Sequence, residues 1–242
     1  MQNVWNSIVQ WLHSLGLHPD REVLAPVGQA ADKFGQVASG MDLPGLMALA
    51  AALGWASGFR LYAVVFVVGL LGASGMVALP GGLHVLEHPV LLVASGGLLF
   101  VEFFADKIPG VDSVWDVLHS VIRVPAGAAL AAGVFGADSA TMATLAALMG
   151  GTLALSSQVA KTTTRAVINT SPEPLSNVGA SLVEDGAAVG ALWLALANPA
   201  VFAVVLVVVV IALWVLTWML WRFLAAALRR IRGWLGGGAA PL

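Results

Sequence analysis

The sequence has no cysteine and very little charge. Among its 242 residues there is a single tyrosine, and only 10% are Asp, Glu, Lys or Arg, against about 25% in an average soluble domain. The lack of cysteine excludes disulfides, thiolate nucleophiles and cysteine-ligated metal sites. The low charge, together with 59% hydrophobic residues, excludes a disordered chain and an ordinary soluble enzyme. Because the formal net charge is −2, we expect no nucleic-acid partner.

Long apolar segments dominate the chain instead. A membrane-spanning helix needs about 20 mostly apolar residues. Six segments have this character, namely 46–72, 88–105, 114–136, 139–160, 175–197 and 200–223. We therefore predict an all-α membrane protein whose six transmembrane helices lie within residues 44–224 and contact membrane lipid. Several of these segments also contain Gly, Pro or charged residues, which lipid-facing helices avoid unless packing or function requires them.

The two flanking segments are predicted to lie outside the bilayer core. In residues 1–43, apolar side chains recur at helical spacing, at Val4, Ile8, Trp11, Leu12 and Leu15. This pattern is too short to span and predicts an amphipathic helix on the membrane surface. Residues 225–242 contain several arginines and predict a basic tail that contacts anionic lipid.

The distribution of Lys and Arg predicts the orientation of the chain. Of the 11 Lys and Arg residues, only Arg60 and Arg123 fall well inside predicted spans, and Arg222 lies at the end of the last span. With six spans, the remaining ones lie on the side that carries both termini, and the opposite loops at 73–87, 137–138 and 198–199 have none. Because cytoplasmic loops are enriched in Lys and Arg, we expect both termini in the cytoplasm.

An internal similarity links spans 2–3 with spans 4–5. The segments 120–127 (SVIRVPAG) and 181–188 (SLVEDGAA) are offset by 61 residues, and each follows a Pro-containing polar loop. Two units of the same orientation indicate a parallel repeat, which recurs among transporters. Chance similarity of helices rich in Ala and Gly is the alternative. The alignment makes Arg123 equivalent to Glu184.

Four charged residues are predicted to share one depth near the middle of the bilayer. Arg123 and Glu184 each lie about ten residues, or about 15 Å, into their helices, and Arg60 and Asp185 lie at similar depth. An isolated charge there costs at least about 2.5–3.5 kcal/mol, so these side chains should face inward. They either line a substrate or ion pathway or form a packing network. The small residues Gly54, Gly58, Gly127, Gly186 and Gly190 favour close helix approach, and Pro125 favours a kink or a break.

A second polar group is predicted as a belt at the cytoplasmic ends of the helices. Its members are Glu102, Asp106, Lys107, Asp112, Asp116, His119, Lys161, Arg165, Asn169 and Glu173. Asp112, Asp116 and His119 share one helix face and suggest a divalent-cation site, although solvated acids at a helix start explain them equally well. No other cofactor is predicted. If the fourth helix continues to Ile168, Lys161 and Arg165 share a face that offers donors to an anion.

Several motifs resemble one known family. The segments 54–62 (GWASGFRLY), 104–116 (FADKIPGVDSVWD), 122–127 (IRVPAG), 165–174 (RAVINTSPEP) and 181–185 (SLVED) are similar to the bacterial membrane family called "domain of unknown function", number 4126. The resemblance covers roughly 45–215. It implies a location in the bacterial inner membrane, and it supplies no activity and no site residues.

Three functions remain in competition. The favoured one is a small transporter or channel for a small polar or ionic solute, with Arg60 and Arg123 opposite Glu184 and Asp185. Under this hypothesis the chain is not an enzyme. The first alternative is a membrane enzyme acting on a lipid head group through the belt acids, with Lys161 and Arg165 on the phosphate. The second is a non-catalytic scaffold in a membrane assembly. A homo-oligomer is compatible with all three.

Overall fold

A computed structural model describes residues 41–108, 110–137, 139–170 and 174–236. Within these ranges the chain is all-helical and contains no strand, as predicted. The helices are α1 (Leu43–Ala73), a 3-10 helix (Gly81–Glu87), α2 (Pro89–Ala105), α3 (Val111–Gly133), α4 (Ala140–Ile168), α5 (Pro174–Ala197) and α6 (Pro199–Gly236). The predicted surface helix in residues 1–43 lies outside the described residues except for 41–43, as does Glu173.

Each of the six predicted segments overlaps one α-helix. Helices α1, α4, α5 and α6 are long and apolar enough to cross a membrane. The 3-10 helix and α2 meet at a 72° bend and provide a fifth crossing if they count as one span. The described chain therefore has the helices of a membrane protein, with four or five candidate spans. Helix α3, which contains Asp112, Asp116 and Arg123, is not among them.

Local capping explains where several helices begin. Asp42 Oδ1 accepts a hydrogen bond of 3.0 Å from the Gly45 amide at the start of α1. His88 Nδ1 accepts from Val90 N at the start of α2, and Ser139 Oγ accepts from Met142 N at the start of α4. Asn198 caps α6 through Val201 N at 3.2 Å. Each cap satisfies a backbone amide that has no partner inside its helix.

Helix α1 is the central element and contacts every other α-helix. Its glycines bring α1 to backbone distance from α4, because a Cβ at Gly54 would lie 2.5 Å from Gly150 Cα and one at Gly58 would lie 2.3 Å from Ala154 O. Gly127 in α3 is packed as tightly against the same region. The close approach predicted for Gly186 and Gly190 is wrong, because a Cβ at either would have nothing within 4 Å.

A helix break within the bundle lies in α1. Arg60 has non-helical backbone angles, with φ −141° and ψ 61°, and α1 is bent there. Helix α3 continues through Pro125, the residue at which the sequence favoured a kink or break. The break therefore coincides with a buried charge, and it changes the direction of α1 where that charge must find partners.

Candidate functional site

Ten ionisable side chains from five helices form one cluster inside the bundle. We call it the charge network. Its members are Arg60 of α1, Glu102 and Asp106 of α2 and its end, Asp112, Asp116 and Arg123 of α3, Lys161 and Arg165 of α4, and Glu184 and Asp185 of α5. All except Asp185 expose at most 7% of their surface, whereas the Asp185 side chain is 41% exposed. The network is thus buried and open to its surroundings at Asp185.

The structure brings members of the predicted midplane set and of the predicted cytoplasmic belt together in one cluster. Arg60, assigned to the midplane, pairs with Asp106, assigned to the belt. Lys161 and Arg165 lie in the last turns of α4, which extends to Ile168, and their side chains point inward rather than into a loop. The two groups merge because depth along a helix was inferred without knowing how far α4 continues. Because Lys161 and Arg165 do not lie in a loop, they do not support the prediction, made from loop charges, that both termini are in the cytoplasm.

Arg123 joins the second and third helices. It donates to Glu102 and, through Nη1, to Asp116 Oδ1 at 2.7 Å and to Gln158 Oε1 at 2.9 Å. Gln158 in turn donates from Nε2 to the Asp116 carbonyl at 3.1 Å. The guanidinium therefore neutralises one carboxylate from each of two helices, and Gln158 of α4 provides a further acceptor.

Lys161 of α4 contacts groups from four other segments, namely α1, the end of α2, α3 and α5. Its ammonium lies 3.1 Å from Asp116 Oδ1 and 3.4 Å from both Asp106 Oδ2 and Glu184 Oε2. It also donates to the Phe59 carbonyl of α1 at 3.2 Å, one turn beyond the place where Ser157 Oγ donates to the Trp55 carbonyl at 2.7 Å. Two donors one turn apart on α4 thus meet two carbonyls one turn apart on α1.

Arg60 and Arg165 connect the network to α5. Arg165 pairs with both oxygens of Glu184, at 3.3 Å from Nε and 3.1 Å from Nη2. It also donates to the Asn177 side chain at 3.1 Å and to the Asp106 carbonyl at 2.9 Å. Arg60 Nε lies 2.7 Å from Asp185 Oδ1, an ion-pair contact without hydrogen-bond geometry, and Arg60 also donates to Ser181.

Negative charge is in excess in the charge network. Six carboxylates face four cationic side chains, so the fully ionised network has a formal charge of −2. Three buried carboxylate oxygens, Glu102 Oε2, Asp106 Oδ1 and Asp116 Oδ2, have no hydrogen-bond partner in the described part of the chain. Unpartnered buried acceptors are destabilising, and buried polar groups usually have partners. This arrangement suits the uptake of a positive charge.

The predicted divalent-cation triad does not come together. His119 Nδ1 contacts the Trp115 carbonyl at 2.8 Å, and its ring stacks on Trp115 rather than facing Asp112 or Asp116. Asp112 accepts from the Gly110 and Ser113 amides. No group of three or more metal-ligating side chains occurs among the described residues. The metal hypothesis therefore has no geometric support.

Lys107, another predicted belt residue of the described chain, lies outside the network. Its ammonium is over the Phe103 ring at 3.1 Å and donates to the Phe103 carbonyl. Partial burial, together with the nearby Arg60 cation, lowers the pKa of Lys107. Lys107 thus interacts with the last turn of α2.

Asn177 and Ser181 were not predicted as site residues. Asn177 donates to Asn169 Oδ1 and accepts from Arg165, and Ser181 accepts from Arg60. Together with Glu184 they lie at positions i, i+4 and i+7 of α5, so they share one helix face. This spacing is visible in the sequence and is the signal that could have identified them.

Asn169 ties the end of α4 to the starts of α3 and α5. Its Nδ2 donates to Asp112 Oδ1 at 2.8 Å and Oδ2 at 3.0 Å and to Ser113 Oγ at 2.9 Å, while its Oδ1 accepts from Asn177 at 3.0 Å. An amide can donate and accept in this way, whereas a carboxylate only accepts. Of the belt residues that the structure describes, Asn169 lies at the edge of the network rather than within it.

Asn169→Asp is therefore expected to lower the free energy of unfolding by about 1–2 kcal/mol, because it removes the donor and sets a second carboxylate against Asp112. Thermal unfolding in detergent, followed by the fluorescence of the 9 tryptophans, measures the change. Asn198→Asp is the matched control, since aspartate is an equally good N-cap for α6. An equal loss in both variants would contradict the role given to Asn169.

Comparison with known proteins gives one match. No curated protein and no solved structure matches the chain. A family model described as a domain of unknown function matches residues 47–222, which confirms the resemblance drawn from the motifs. This range includes all ten members of the charge network. The chain therefore belongs to the family described as domain of unknown function DUF4126.

Proposed function

We propose that this protein is a small transporter or channel whose ion pathway passes through the charge network and takes a proton or a small cation. One observation carries the proposal, namely the excess of two carboxylates over cations in the charge network, five of whose six acids are buried. A network needed only for packing is most stable when its charges balance, because each uncompensated buried charge is costly. A bound proton or cation supplies the missing positive charge.

The break at Arg60 supports the same function. Discontinuous helices are frequent at transporter binding sites, because they free backbone groups inside the membrane. The broken helix α1 contacts all five other α-helices and holds Arg60 against Asp106 on one side and Asp185 on the other. If Arg60 lost one of these partners, the contacts of α1 with the end of α2 or with α5 would change.

The contacts also support the proposed parallel repeat. In the hairpin α2–α3, Glu102 of the first helix pairs with Arg123 of the second. In the hairpin α4–α5, Arg165 of the first helix pairs with Glu184 of the second, with the signs reversed. We propose six spans with both termini in the cytoplasm of the bacterial inner membrane, with membrane lipid around the bundle.

The burial of the acids disfavours the lipid-head-group enzyme. Asp106, Asp112 and Asp116 have no exposed surface, and Lys161 and Arg165 are bound by carboxylates of the chain itself. These residues offer no group to a phosphate at the membrane surface. The scaffold hypothesis is left as an outcome of the test.

The test of transport uses Asp185→Asn. Because Asp185 is partly exposed and contacts only Arg60 in the described network, the variant should keep the thermal stability of the wild type. Purified protein is reconstituted into liposomes, and the flux of H⁺, Na⁺ and K⁺ is followed under an imposed potential. We expect wild-type flux above that of protein-free vesicles and at least a tenfold reduction for Asp185→Asn, on the order of 1.4 kcal/mol in barrier.

Glu87→Gln is the matched control. Glu87 is also a partly exposed acid, but it lies on the 3-10 helix and pairs with His84 at 2.8 Å, outside the network. Its replacement should leave the flux unchanged. If the wild type moves none of the three cations, or if both variants conduct as the wild type does, the proposed function is wrong and a scaffold role gains support.

A further inference from the structure

We propose that Glu102 is the proton-binding group of the network, so that the ion taken up inside the bundle is H⁺ and its acceptor is Glu102 Oε2. This inference rests on the proposed function and narrows it to one ion and one atom. Glu102 lies in the last turn of α2 and is completely buried.

Among the buried carboxylates of the network, Glu102 has the fewest stabilising contacts. Its Oε1 pairs with Arg123, and within the described residues Oε2 has no hydrogen-bond partner. By contrast, Asp106 lies within ion-pair distance of Arg60, Lys161 and Arg165. Glu184 contacts the same three cations.

The remaining acids are also better compensated. Asp116 contacts both Arg123 and Lys161. Asp112 accepts two backbone amides and the Asn169 side chain. Asp185 pairs with Arg60 and is partly exposed, so water can solvate it. A proton therefore binds most favourably at Glu102, where ionisation is least compensated.

The charged and titratable groups around Glu102 come from every helix packed near it. Arg60 and Tyr62 of α1, Arg123 of α3 and Lys161 of α4 are close enough to interact electrostatically with Glu102, as is Asp106 at the end of its own helix. Arg123 keeps Asp116 and Gln158 as partners when Glu102 becomes neutral. Protonation adds one proton to Oε2 and changes the formal charge of the network from −2 to −1 without leaving Arg123 unpaired.

The test is infrared difference spectroscopy of the protein in lipid nanodiscs as the pH is lowered. The wild type should show a protonated-carboxyl C=O band that grows as the pH falls, and Glu102→Gln should lose this band. Glu87→Gln should keep it, because that acid lies outside the network. A wild type without such a band, or a Glu102→Gln variant that retains it, would overturn the proposal.

A second variant keeps the test valid if Glu102→Gln folds poorly. Glu102→Gln/Arg123→Gln removes both members of the pair, so it should regain thermal stability while still lacking the band. If the band returns in the double variant, the proton resides on another group and the proposal is wrong. The two proposals fail in different measurements. If the liposome flux is absent while the Glu102 band titrates, only the proposed function is wrong. If flux is present but the band does not depend on Glu102, only the assignment of the proton to Glu102 is wrong.

Discussion

Arg123→Gln is expected to lower the free energy of unfolding by about 3–5 kcal/mol, the range measured when one partner of a buried ion pair is removed. The substitution leaves Glu102 without a cation and removes the hydrogen bond of 2.7 Å to Asp116. Asp116 retains Lys161 at 3.1 Å, so the main loss comes from Glu102. Thermal or chemical unfolding in detergent, followed by tryptophan fluorescence, measures the effect.

Two further variants identify the cause of that loss. Glu102→Gln/Arg123→Gln should recover a large part of the lost stability, because no buried charge is left without a partner. Arg222→Gln is the control for loss of an arginine, since Arg222 is exposed beside Trp218, and it should change stability by no more than about 0.5 kcal/mol. If the double variant is as unstable as Arg123→Gln, the uncompensated carboxylate is not the reason for the loss.

The helices were predictable because apolar length is a local property. Each predicted segment overlaps one helix, and α1, α4, α5 and α6 are long and apolar enough to be candidate spans. The bend before α2 was not predicted. Pro80 and Pro89 flank the 3-10 helix, but proline positions alone do not give the 72° angle at which that helix meets α2.

The site was only partly predictable because depth does not fix the direction in which a side chain points. All ten members of the charge network were named from the sequence, and most of the described residues in the two predicted groups belong to it. However, Lys107 and His119 lie close to the network in sequence and point elsewhere. Whether a charge joins the network depends on the rotation of its helix about its axis, which is set by packing against the neighbouring helices.

Packing and charge are coupled in this bundle, because the same faces carry both. Gly58 is two residues before Arg60 on α1, and Ser157 is one turn before Lys161 on α4. The Ser157 hydroxyl reaches the Trp55 carbonyl only because no side chain at Gly58 intervenes. The short distance between α1 and α4 then allows Lys161 to contact the Phe59 carbonyl and three carboxylates together.

Gly58→Ala is therefore expected to be strongly destabilising. Its Cβ would lie 2.0 Å from Ser157 Oγ and 2.3 Å from the Ala154 carbonyl oxygen, so α1 and α4 must move apart. Overpacking of this kind costs about 1–3 kcal/mol, and we expect the upper end because the obstructing atom is backbone. The separation should also lengthen the Lys161 contacts and reduce H⁺ flux in liposomes.

Gly186→Ala is the matched control for Gly58→Ala. Gly186 is also helical and lies next to Asp185, but a Cβ there meets nothing within 4 Å. Alanine should be neutral or stabilise α5 by up to about 1 kcal/mol, because it favours the helix more than glycine does. In parallel unfolding experiments, Gly58→Ala should therefore lower the stability, whereas Gly186→Ala should raise it or leave it unchanged. An equal loss in both would show that helix contact at Gly58 is not what holds the charge network together.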